Sequence, residues 1–159
     1  MKLSNFKISG IILFLSLFGV SKLWAGPEKE LNANWKCAPI KQVKASGEQI
    51  SQHGFSLSEW QAAVVPGTVL TTMLENKEVP DPFYGLNNLK IKDIYETGRD
   101  YYTYWFVNDF QQKKQAGEQV WLNFRGVNYS CDVFLNGKKV NDERHFGMFL
   151  RQIYNRSEE

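Results

Sequence analysis

Histidine and cysteine are scarce in this chain of 159 residues, which contains two of each. His53 and His145 lie far apart and have no cysteine or carboxylate at the spacing typical of metal ligands. The sequence also lacks a glycine-rich phosphate loop, a Ser/His/Asp arrangement, an internal repeat, a low-complexity tract and a coiled-coil heptad. It therefore predicts no metal site, no other cofactor and no nucleotide-binding or repeat architecture.

A strong excess of charge of either sign is also missing. The formal net charge is +2, and the first 25 residues contain Lys2, Lys7 and Lys22 without any acidic residue, so the remainder is close to 2 − 3 = −1. A nearly neutral chain gives no reason to expect nucleic acid or an anionic membrane as a partner.

A transmembrane-length apolar run is missing too. The apolar stretch at residues 11–20 is shorter than the ~20 residues that a membrane-spanning helix needs. Lys2 and Lys7 precede this stretch, and the small residue Ala25 follows it. The pattern predicts a secretory signal peptide at residues 1–25 and a mature chain at 26–159, with a retained anchor as the alternative. We expect an exported protein, periplasmic or extracellular, with no membrane contact after cleavage.

Export would place Cys37 and Cys131 in an oxidising compartment, where one pairing is open to them. Cys131 falls on the apolar face of a predicted strand. This position favours a small buried hydrophobic residue over a disulfide partner, although the pairing stays open as the alternative.

Residues 119–140 have the clearest structural pattern, two strands followed by a tight hairpin. Apolar side chains recur at every second position in both strands, which predicts one buried face for each. The first apolar row is Val120, Leu122 and Phe124, and the second is Cys131, Val133 and Leu135. Asn136-Gly137 then predicts a two-residue turn, because both residues tolerate the positive φ that a type I′ turn requires.

The preceding part of the chain predicts an edge strand at 35–40, a central strand at 99–110 and one short helix. Pro66-Gly67 turns the chain, and Thr68 can cap a helix that presents Leu70, Met73 and Leu74 on one face. The loop at 79–88 is predicted to be rigid and irregular because of its two prolines, its glycine and its two asparagines.

Several blocks of this sequence resemble the N-terminal β-sandwich of glycoside hydrolase family 2, closest to its exo-β-glucosaminidase and β-mannosidase branch. The resemblance covers residues 56–151 and rests on VPGTV, PDPFYG, GRDYYTYWF, VWLNFRGV, FLNGKKV and GMFLR. It implies an all-β, jelly-roll (galactose-binding-like) sandwich with one short helix. The family domain continues with further strands, so we expect a fragment that lacks its last strands.

The resemblance also implies a function. Retaining enzymes of this kind use two carboxylates ~5 Å apart, and in the family both glutamates lie in a downstream (β/α)₈ barrel, which needs ~250 residues. We therefore expect an exported domain that binds sugar and has no catalytic residue of its own. In the full-length enzyme its partners would be carbohydrate, the barrel and further β-sandwich domains, and the reaction would release terminal β-linked mannose or glucosamine. A stand-alone carbohydrate-binding module is the alternative, and a structural or adhesive sandwich is a third reading.

In some family members an asparagine on the loop after the proline pair reaches the sugar pocket of the barrel. The resemblance assigns this substrate-binding role to Asn87, or else to Asn88, while the alternative is that both are turn residues. Trp60, Trp105 and Trp121 could stack on a sugar, although aromatic residues at strand spacing are more typical of a core.

Other residues of interest have ordinary explanations. Two sequons, at Asn128 and at Asn155, fit the glycosylation pattern, which is common by chance. Acidic residues are predicted to be solvated or capping carboxylates rather than catalytic ones; they include Glu59, Glu75, Asp81, Asp93 and Asp109.

Overall fold

The computed structural model describes residues 28–141, 145–146 and 151–155. The chain divides into two compact units, Met1–Glu30 and Leu31–Glu159, and all of the helices and strands given below belong to the second. The predicted signal peptide and most of the GMFLR block lie outside the described residues. Within the described ranges, no helix has the length and apolar character that a bilayer crossing would require.

The described part of the chain contains nine strands, all of them short, with three α-helices and three 3-10 turns between them. The nine strands are β1 (Lys36–Pro39), β2 (Gln61–Ala62), β3 (Tyr104–Val107), β4 (Trp121–Phe124), β5 (Ser130–Cys131), β6 (Phe134–Leu135), β7 (Lys138–Lys139), β8 (His145–Phe146) and β9 (Gln152–Asn155). The helices are α1 (Gly47–Ile50), α2 (Val69–Glu75) and α3 (Ile94–Thr97), with 3-10 turns at Ile40–Gln42, Asn87–Lys90 and Arg99–Tyr102.

The first sheet has the strand order β2-β1-β3, with both pairings antiparallel. The prediction that residues 35–40 form an edge strand was wrong, because β1 is the middle strand and pairs Cys37 with both Gln61 and Phe106. The strand predicted at 99–110 is restricted to β3, which lies at the edge of this sheet and is half-buried. The first residues of the predicted strand, Arg99–Tyr102, form a 3-10 turn instead, in which the Thr103 N–H donates to the Asp100 carbonyl.

The remaining strands form three antiparallel pairs, β4-β9, β5-β8 and β6-β7. Trp121 lies opposite Asn155, and Phe124 lies opposite Gln152. The Phe124 and Tyr154 rings meet edge to face at 6.1 Å. The predicted strand of Val120, Leu122 and Phe124 is therefore present as β4, except that β4 begins one residue after Val120.

The hairpin at Asn136-Gly137 is present as predicted. Leu135 pairs with Lys138 across the two-residue turn, and φ is 48° at Asn136 and 84° at Gly137. The turn is anchored on α1, because Gly137 N–H donates to Ser51 Oγ at 3.0 Å. The hairpin thus connects the late strands to the start of the domain.

The continuous strand predicted at 131–135 is divided into β5 and β6. Asn141 lies between the two pieces and is 6% exposed. Its Oδ1 accepts from Val133 N–H at 2.7 Å, and its Nδ2 donates to the Cys131 carbonyl at 3.1 Å. A buried side chain therefore satisfies backbone groups that a longer strand would have paired with a neighbour.

Helix α2 begins as predicted at its threonine cap. Thr68 Oγ1 accepts from Thr71 N–H at 3.1 Å. The predicted apolar face contributes Met73, which is 4% exposed, while Leu70 and Leu74 are half-buried. Thr72 is 1% exposed, and its Oγ1 accepts from Val64 N–H at 3.1 Å, which fixes the helix to the preceding turn.

Among the described residues, neither Cys37 nor Cys131 forms a disulfide. Cys37 is completely buried in β1, and burial raises the pKa of its thiol, with the nearby Glu78 charge adding to the shift. Cys131 is half-buried in β5. The favoured expectation of a small buried hydrophobic residue concerned Cys131, which is only partly buried, whereas Cys37 is the cysteine that is fully buried.

Substitution of Gly47 tests the contact between helix α1 and the β6-β7 hairpin. A Cβ at this position would overlap the ring of Phe134. Helix propensity alone would make Gly47→Ala stabilising by up to ~1 kcal/mol, but overpacking against the ring should make it destabilising by about 2 kcal/mol.

Urea denaturation of the 159-residue chain measures this difference. Glu48→Ala, at an exposed neighbouring position of the same helix, is the matched control and should stay within about 0.5 kcal/mol of the parent. A Gly47→Ala variant that is more stable than the parent would show that α1 and the hairpin do not pack as described.

Candidate functional site

The loop at residues 80–98 is the most distinctive surface feature of the domain. Its backbone is ordered by local hydrogen bonds from two aspartates. Asp81 Oδ1 accepts from Phe83 N–H at 2.9 Å, and Asp93 Oδ1 accepts from Tyr95 N–H at 2.7 Å, capping α3. Further turns close from Asn87 N–H to the Tyr84 carbonyl and from Leu89 N–H to the Leu86 carbonyl. The prediction of an irregular loop with a fixed conformation agrees with this geometry.

Tyr102 ties the loop to the base of β3. Its hydroxyl donates to the Lys92 carbonyl. Burial, followed by the neighbouring Tyr101 and Asp93, raises the pKa of the Tyr102 phenol above its usual value. The phenol therefore stays protonated and able to donate at neutral pH. The Lys92 ammonium also lies 5.4 Å from the centre of the Tyr101 ring, which adds a cation–π contact at the same place.

Asn87 and Asn88 lie in the 3-10 turn Asn87–Lys90, in the middle of this loop. Asn87 is half-buried and Asn88 is exposed. Within the described residues, neither side-chain amide makes a hydrogen bond to the protein. The amides are thus held on an ordered backbone with their donors and acceptors available, which is the condition for binding a hydroxyl-bearing ligand.

Large apolar side chains of the same loop point into solvent. Phe83 is 96% exposed and Tyr95 is 95% exposed, and the others of this set are Tyr84, Leu86 and Leu89, each at least 74% exposed. We call these five residues the apolar loop set. Their exposure was not predictable from the sequence, because a row of apolar residues without strand or helix periodicity has no predicted face.

An open groove of about 760 Å³ lies beside this loop, between α2 and residues 78–83. Leu74, Val79 and Pro80 contribute apolar surface, and Glu75, Glu78 and Asp81 contribute carboxyl groups. Asp81 is occupied in capping the turn at Phe83. The groove borders the apolar loop set through Phe83.

The three tryptophans considered as sugar-stacking residues differ in their surroundings. Trp60 is half-buried and packs edge to face on Phe55 at 6.2 Å. Trp105 is half-buried and contacts the Phe134 ring at 5.9 Å. Trp121 is 53% exposed on β4, so of these three it is the one whose ring faces solvent most.

The acidic residues that the sequence analysis considered are all exposed; they are Glu59, Glu75, Asp81, Asp93 and Asp109. Two of them, Asp81 and Asp93, cap turns. In the part of the chain that the structure describes, no group of three or more His, Cys, Asp or Glu residues is arranged to hold a metal ion.

The sequence of this domain matches a known family. The family model "Glycosyl hydrolase 2 galactose-binding domain-like" matches residues 41–157. The match spans most of the chain, so the chain belongs to this family. The predicted resemblance to glycoside hydrolase family 2 and the predicted all-β, galactose-binding-like sandwich are both confirmed by this match.

Similar proteins are much longer than this chain. It is 50% identical over 125 residues to the mannosylglycoprotein endo-beta-mannosidase of Lilium longiflorum, covering 76% of this chain and 13% of the lily protein. It is 32% identical over 92 residues to an exo-beta-D-glucosaminidase of Streptomyces avermitilis, covering 57% of this chain and 10% of that protein. It is 29% identical over 91 residues to an exo-beta-D-glucosaminidase of Amycolatopsis orientalis, covering 57% of this chain and 8% of that protein. No solved structure is significantly similar.

The relatives agree with the branch predicted from the sequence blocks, since their names are those of a β-mannosidase and of β-glucosaminidases. The chain spans about one-eighth or less of their lengths. The domain described here therefore corresponds to a small part of enzymes that contain additional chain.

Proposed function

We propose that this chain is the N-terminal, sugar-binding domain of an exported retaining exo-β-glycosidase that releases terminal β-linked mannose or glucosamine. The observation that carries the proposal is the family match over residues 41–157, together with relatives named for these two sugars. In the complete enzyme the domain would pack beside a (β/α)₈ barrel that holds the two catalytic glutamates, with further β-sandwich domains.

The choice between terminal and internal cleavage is open to a direct test. Two relatives are named as exo-acting enzymes, whereas the lily relative is named as endo-acting and has the higher identity to this chain. Product analysis of the complete enzyme on a β-mannose-containing oligosaccharide distinguishes them. Single released monosaccharides support the exo proposal, and oligosaccharide products would replace it by an endo-acting one.

The domain by itself should have no glycosidase activity, because the two catalytic glutamates of the proposed enzyme would lie in its barrel. Recombinant chain 26–159, incubated with aryl β-mannoside and aryl β-glucosaminide, should release no more aryl alcohol than buffer does. Release that scales with protein concentration, and that remains after a second chromatographic purification, would contradict the proposal.

We place the substrate contact of this domain at Asn87, with Asn88 as the alternative. The support is the free amide of each side chain and the ordered backbone of the loop at 80–98. From there an amide can hydrogen-bond the hydroxyl groups of a sugar bound in the neighbouring barrel.

The alternative function, a stand-alone carbohydrate-binding module, has one observation in its favour. Trp121 is 53% exposed, and Asn123, two residues further along β4, is exposed on the same face of the strand. An aromatic ring beside a hydrogen-bonding side chain suits a pyranose ring. Titration of the isolated chain with manno- and glucosamine-oligosaccharides tests this, with Trp121→Thr as the variant. Binding that Trp121→Thr abolishes would favour the module, and no heat of binding would exclude it.

Export is proposed from residues 1–25 alone. A fusion of these residues to a reporter enzyme that folds only outside the cytoplasm tests it. The reporter should be active and should begin at Gly26 by N-terminal sequencing. An uncut, inactive fusion would contradict export.

A further inference from the structure

We propose that the outer edge of β3 is a self-association site, which pairs antiparallel with β3 of a second copy of this chain. β3 (Tyr104–Val107) is the last strand of the three-stranded sheet β2-β1-β3, so one of its two edges faces away from β1. Pairing there would join the sheets of two copies into one sheet of six strands. The inference goes beyond the proposed function, because it concerns the sandwich itself and requires no catalysis.

The direction of the backbone groups in β3 follows from its antiparallel pairing with β1. Ile40 N–H donates to the Thr103 carbonyl at 3.0 Å, just before β3 begins. In an antiparallel pair, every second residue directs its N–H and C=O groups toward the neighbouring strand, and the residues between them direct theirs away. Counting on from Thr103, Trp105 and Val107 are therefore the residues of β3 whose backbone groups bond to β1.

Tyr104 and Phe106 supply the hydrogen-bonding groups of the outer edge. They alternate with the residues that bond to β1, so their backbone N–H and C=O groups point away from it. Within the described ranges, none of these four groups has a hydrogen-bond partner, although both residues are half-buried. Backbone groups in such places are normally paired, so this edge is suited to receive an extended strand.

The outer edge of β3 also lacks the features that usually protect an edge strand from pairing. Edge strands are commonly protected by being very short, or by lysine, proline or a bulge. β2, at the opposite edge of the same sheet, is only two residues long. The segment at residues 101–107, YYTYWFV, has no charged residue, no proline and no glycine. Such a segment, rich in aromatic residues and uncharged, is typical of strands that pair with copies of themselves.

A second copy of β3 fits this edge because the free groups are arranged symmetrically about Trp105. When a two-fold axis passes beside Trp105, Tyr104 lies opposite Phe106 of the second copy, and Phe106 lies opposite its Tyr104. Residues opposite each other in this way exchange both of their N–H···O=C bonds. All four free groups on each copy are then used, in four hydrogen bonds between the copies. The same surface serves both copies, as in other two-fold dimers.

The size of the contact determines how strong the association should be. Only the four residues of β3 on each copy form the pairing, which is far less than the ~1,600 Å² that a stable interface buries. We therefore expect a reversible dimer with a Kd of about 10⁻⁵ to 10⁻³ M, whose population depends on protein concentration.

Amide hydrogen exchange, followed residue by residue by NMR, tests the pairing directly. The sample is recombinant chain 26–159, so that the apolar stretch at residues 11–20 cannot contribute to association. Exchange of the Tyr104 and Phe106 amides should be at least about fivefold slower at about 1 mM protein than at about 20 µM, because pairing removes these N–H groups from water. The Trp105 and Val107 amides are the internal control, because they already bond to β1 and their exchange should not change with concentration.

Three outcomes of this experiment would overturn the inference. Fast exchange of Tyr104 and Phe106 at both concentrations would show that the edge has no partner. Slow exchange of both amides at both concentrations would show that a segment of the same chain occupies the edge. A dimer detected by sedimentation, without slower exchange of these two amides, would place the contact on another surface.

Substitution of Tyr104 provides a second arm. Proline is tolerated on an edge strand where the N–H points outward, and Thr103 has the extended conformation that the residue before proline requires, with φ −98° and ψ 118°. Tyr104→Pro removes the N–H from two of the four bonds between the copies, whereas Tyr104→Ala removes the same side chain and keeps that N–H. The Kd of the dimer from sedimentation should therefore be at least about tenfold higher for Tyr104→Pro than for Tyr104→Ala.

Equal Kd values for the two folded variants would contradict the pairing. If Tyr104→Pro does not fold, the exchange experiment on the unsubstituted chain decides. Neither arm uses a substrate, so the result is independent of the proposed reaction: a concentration-dependent dimer through β3 would stand even if the complete enzyme hydrolysed neither β-mannosides nor β-glucosaminides.

Discussion

Replacing Asn87 by alanine should lower kcat/KM for a β-mannoside by about 10- to 100-fold in an active enzyme that carries this domain. The expected loss follows from the hydrogen bond that the free Asn87 amide is proposed to make with the sugar. A hydroxyl group left unpaired in a closed sugar pocket costs ~1–3 kcal/mol, and each 1.36 kcal/mol lowers the rate about tenfold. The catalytic background is a chimera in which the matching segment of the lily enzyme is replaced by the corresponding residues of this chain.

Asn88→Ala is the matched control for this prediction. Asn88 is the next residue of the same turn, and its amide is exposed. The control should change kcat/KM by less than about threefold, as expected for a surface substitution. A large loss for Asn88→Ala with none for Asn87→Ala would transfer the substrate contact to Asn88. No loss for either variant would remove this loop from the substrate site.

Replacing Asn141 by alanine should destabilise the domain by about 3 kcal/mol, equivalent to more than a hundredfold shift toward the unfolded state. Its Oδ1 and Nδ2 satisfy the Val133 N–H and the Cys131 carbonyl, and the side chain is 6% exposed. Alanine would leave both backbone groups without this partner in a place that water reaches poorly. It would also loosen the junction between β5 and β6, and with it the hairpin that packs on α1.

Chemical denaturation of the 159-residue chain measures this loss. Asn123→Ala is the control, because Asn123 is exposed on β4 and should stay within about 0.5 kcal/mol of the parent. Equal stability of the Asn141→Ala variant and the parent would show that the amide does not hold these strands together.

The turn-forming residues were predictable from the sequence, because turns are decided locally. The Asn136-Gly137 turn and the Thr68 cap lie where backbone chemistry places them, with φ of 48° at Asn136 and the Thr68 hydroxyl accepting from Thr71 N–H. Strand β4 was predictable for a related reason, since Leu122 and Phe124 are two residues apart and side chains at that spacing share one face of a strand.

Features that depend on distant partners were not predictable in the same way. Position within a sheet is one example: β1 reads as an edge strand because it ends at Pro39, yet β2 and β3 pair on either side of it. The role of Asn141 is another, since it depends on Val133 and Cys131, which lie eight and ten residues away along the chain. Sequence pattern carries no information about such contacts unless the pairing is already known.

The candidate site likewise has some features that were predictable from the sequence and others that were not. The rigidity of the loop at 79–88 was predictable from its prolines, glycine and asparagines, but the exposure of Phe83 and Leu89 was not. In a segment without strand or helix periodicity, the sequence does not predict which apolar side chains face the solvent. Asn87 itself was assigned through family resemblance, and its side chain is half-buried with a free amide.

The central claim is that this domain works as part of a larger β-glycosidase. The most direct measurement is to capture the native protein from its source with an antibody raised against residues 31–141, and to record its mass and its hydrolysis of aryl β-mannoside and aryl β-glucosaminide. The account predicts a captured chain many times larger than 18.4 kDa that hydrolyses at least one of the two substrates. Capture of a species of 18.4 kDa or less, with no hydrolysis of either substrate, would contradict it.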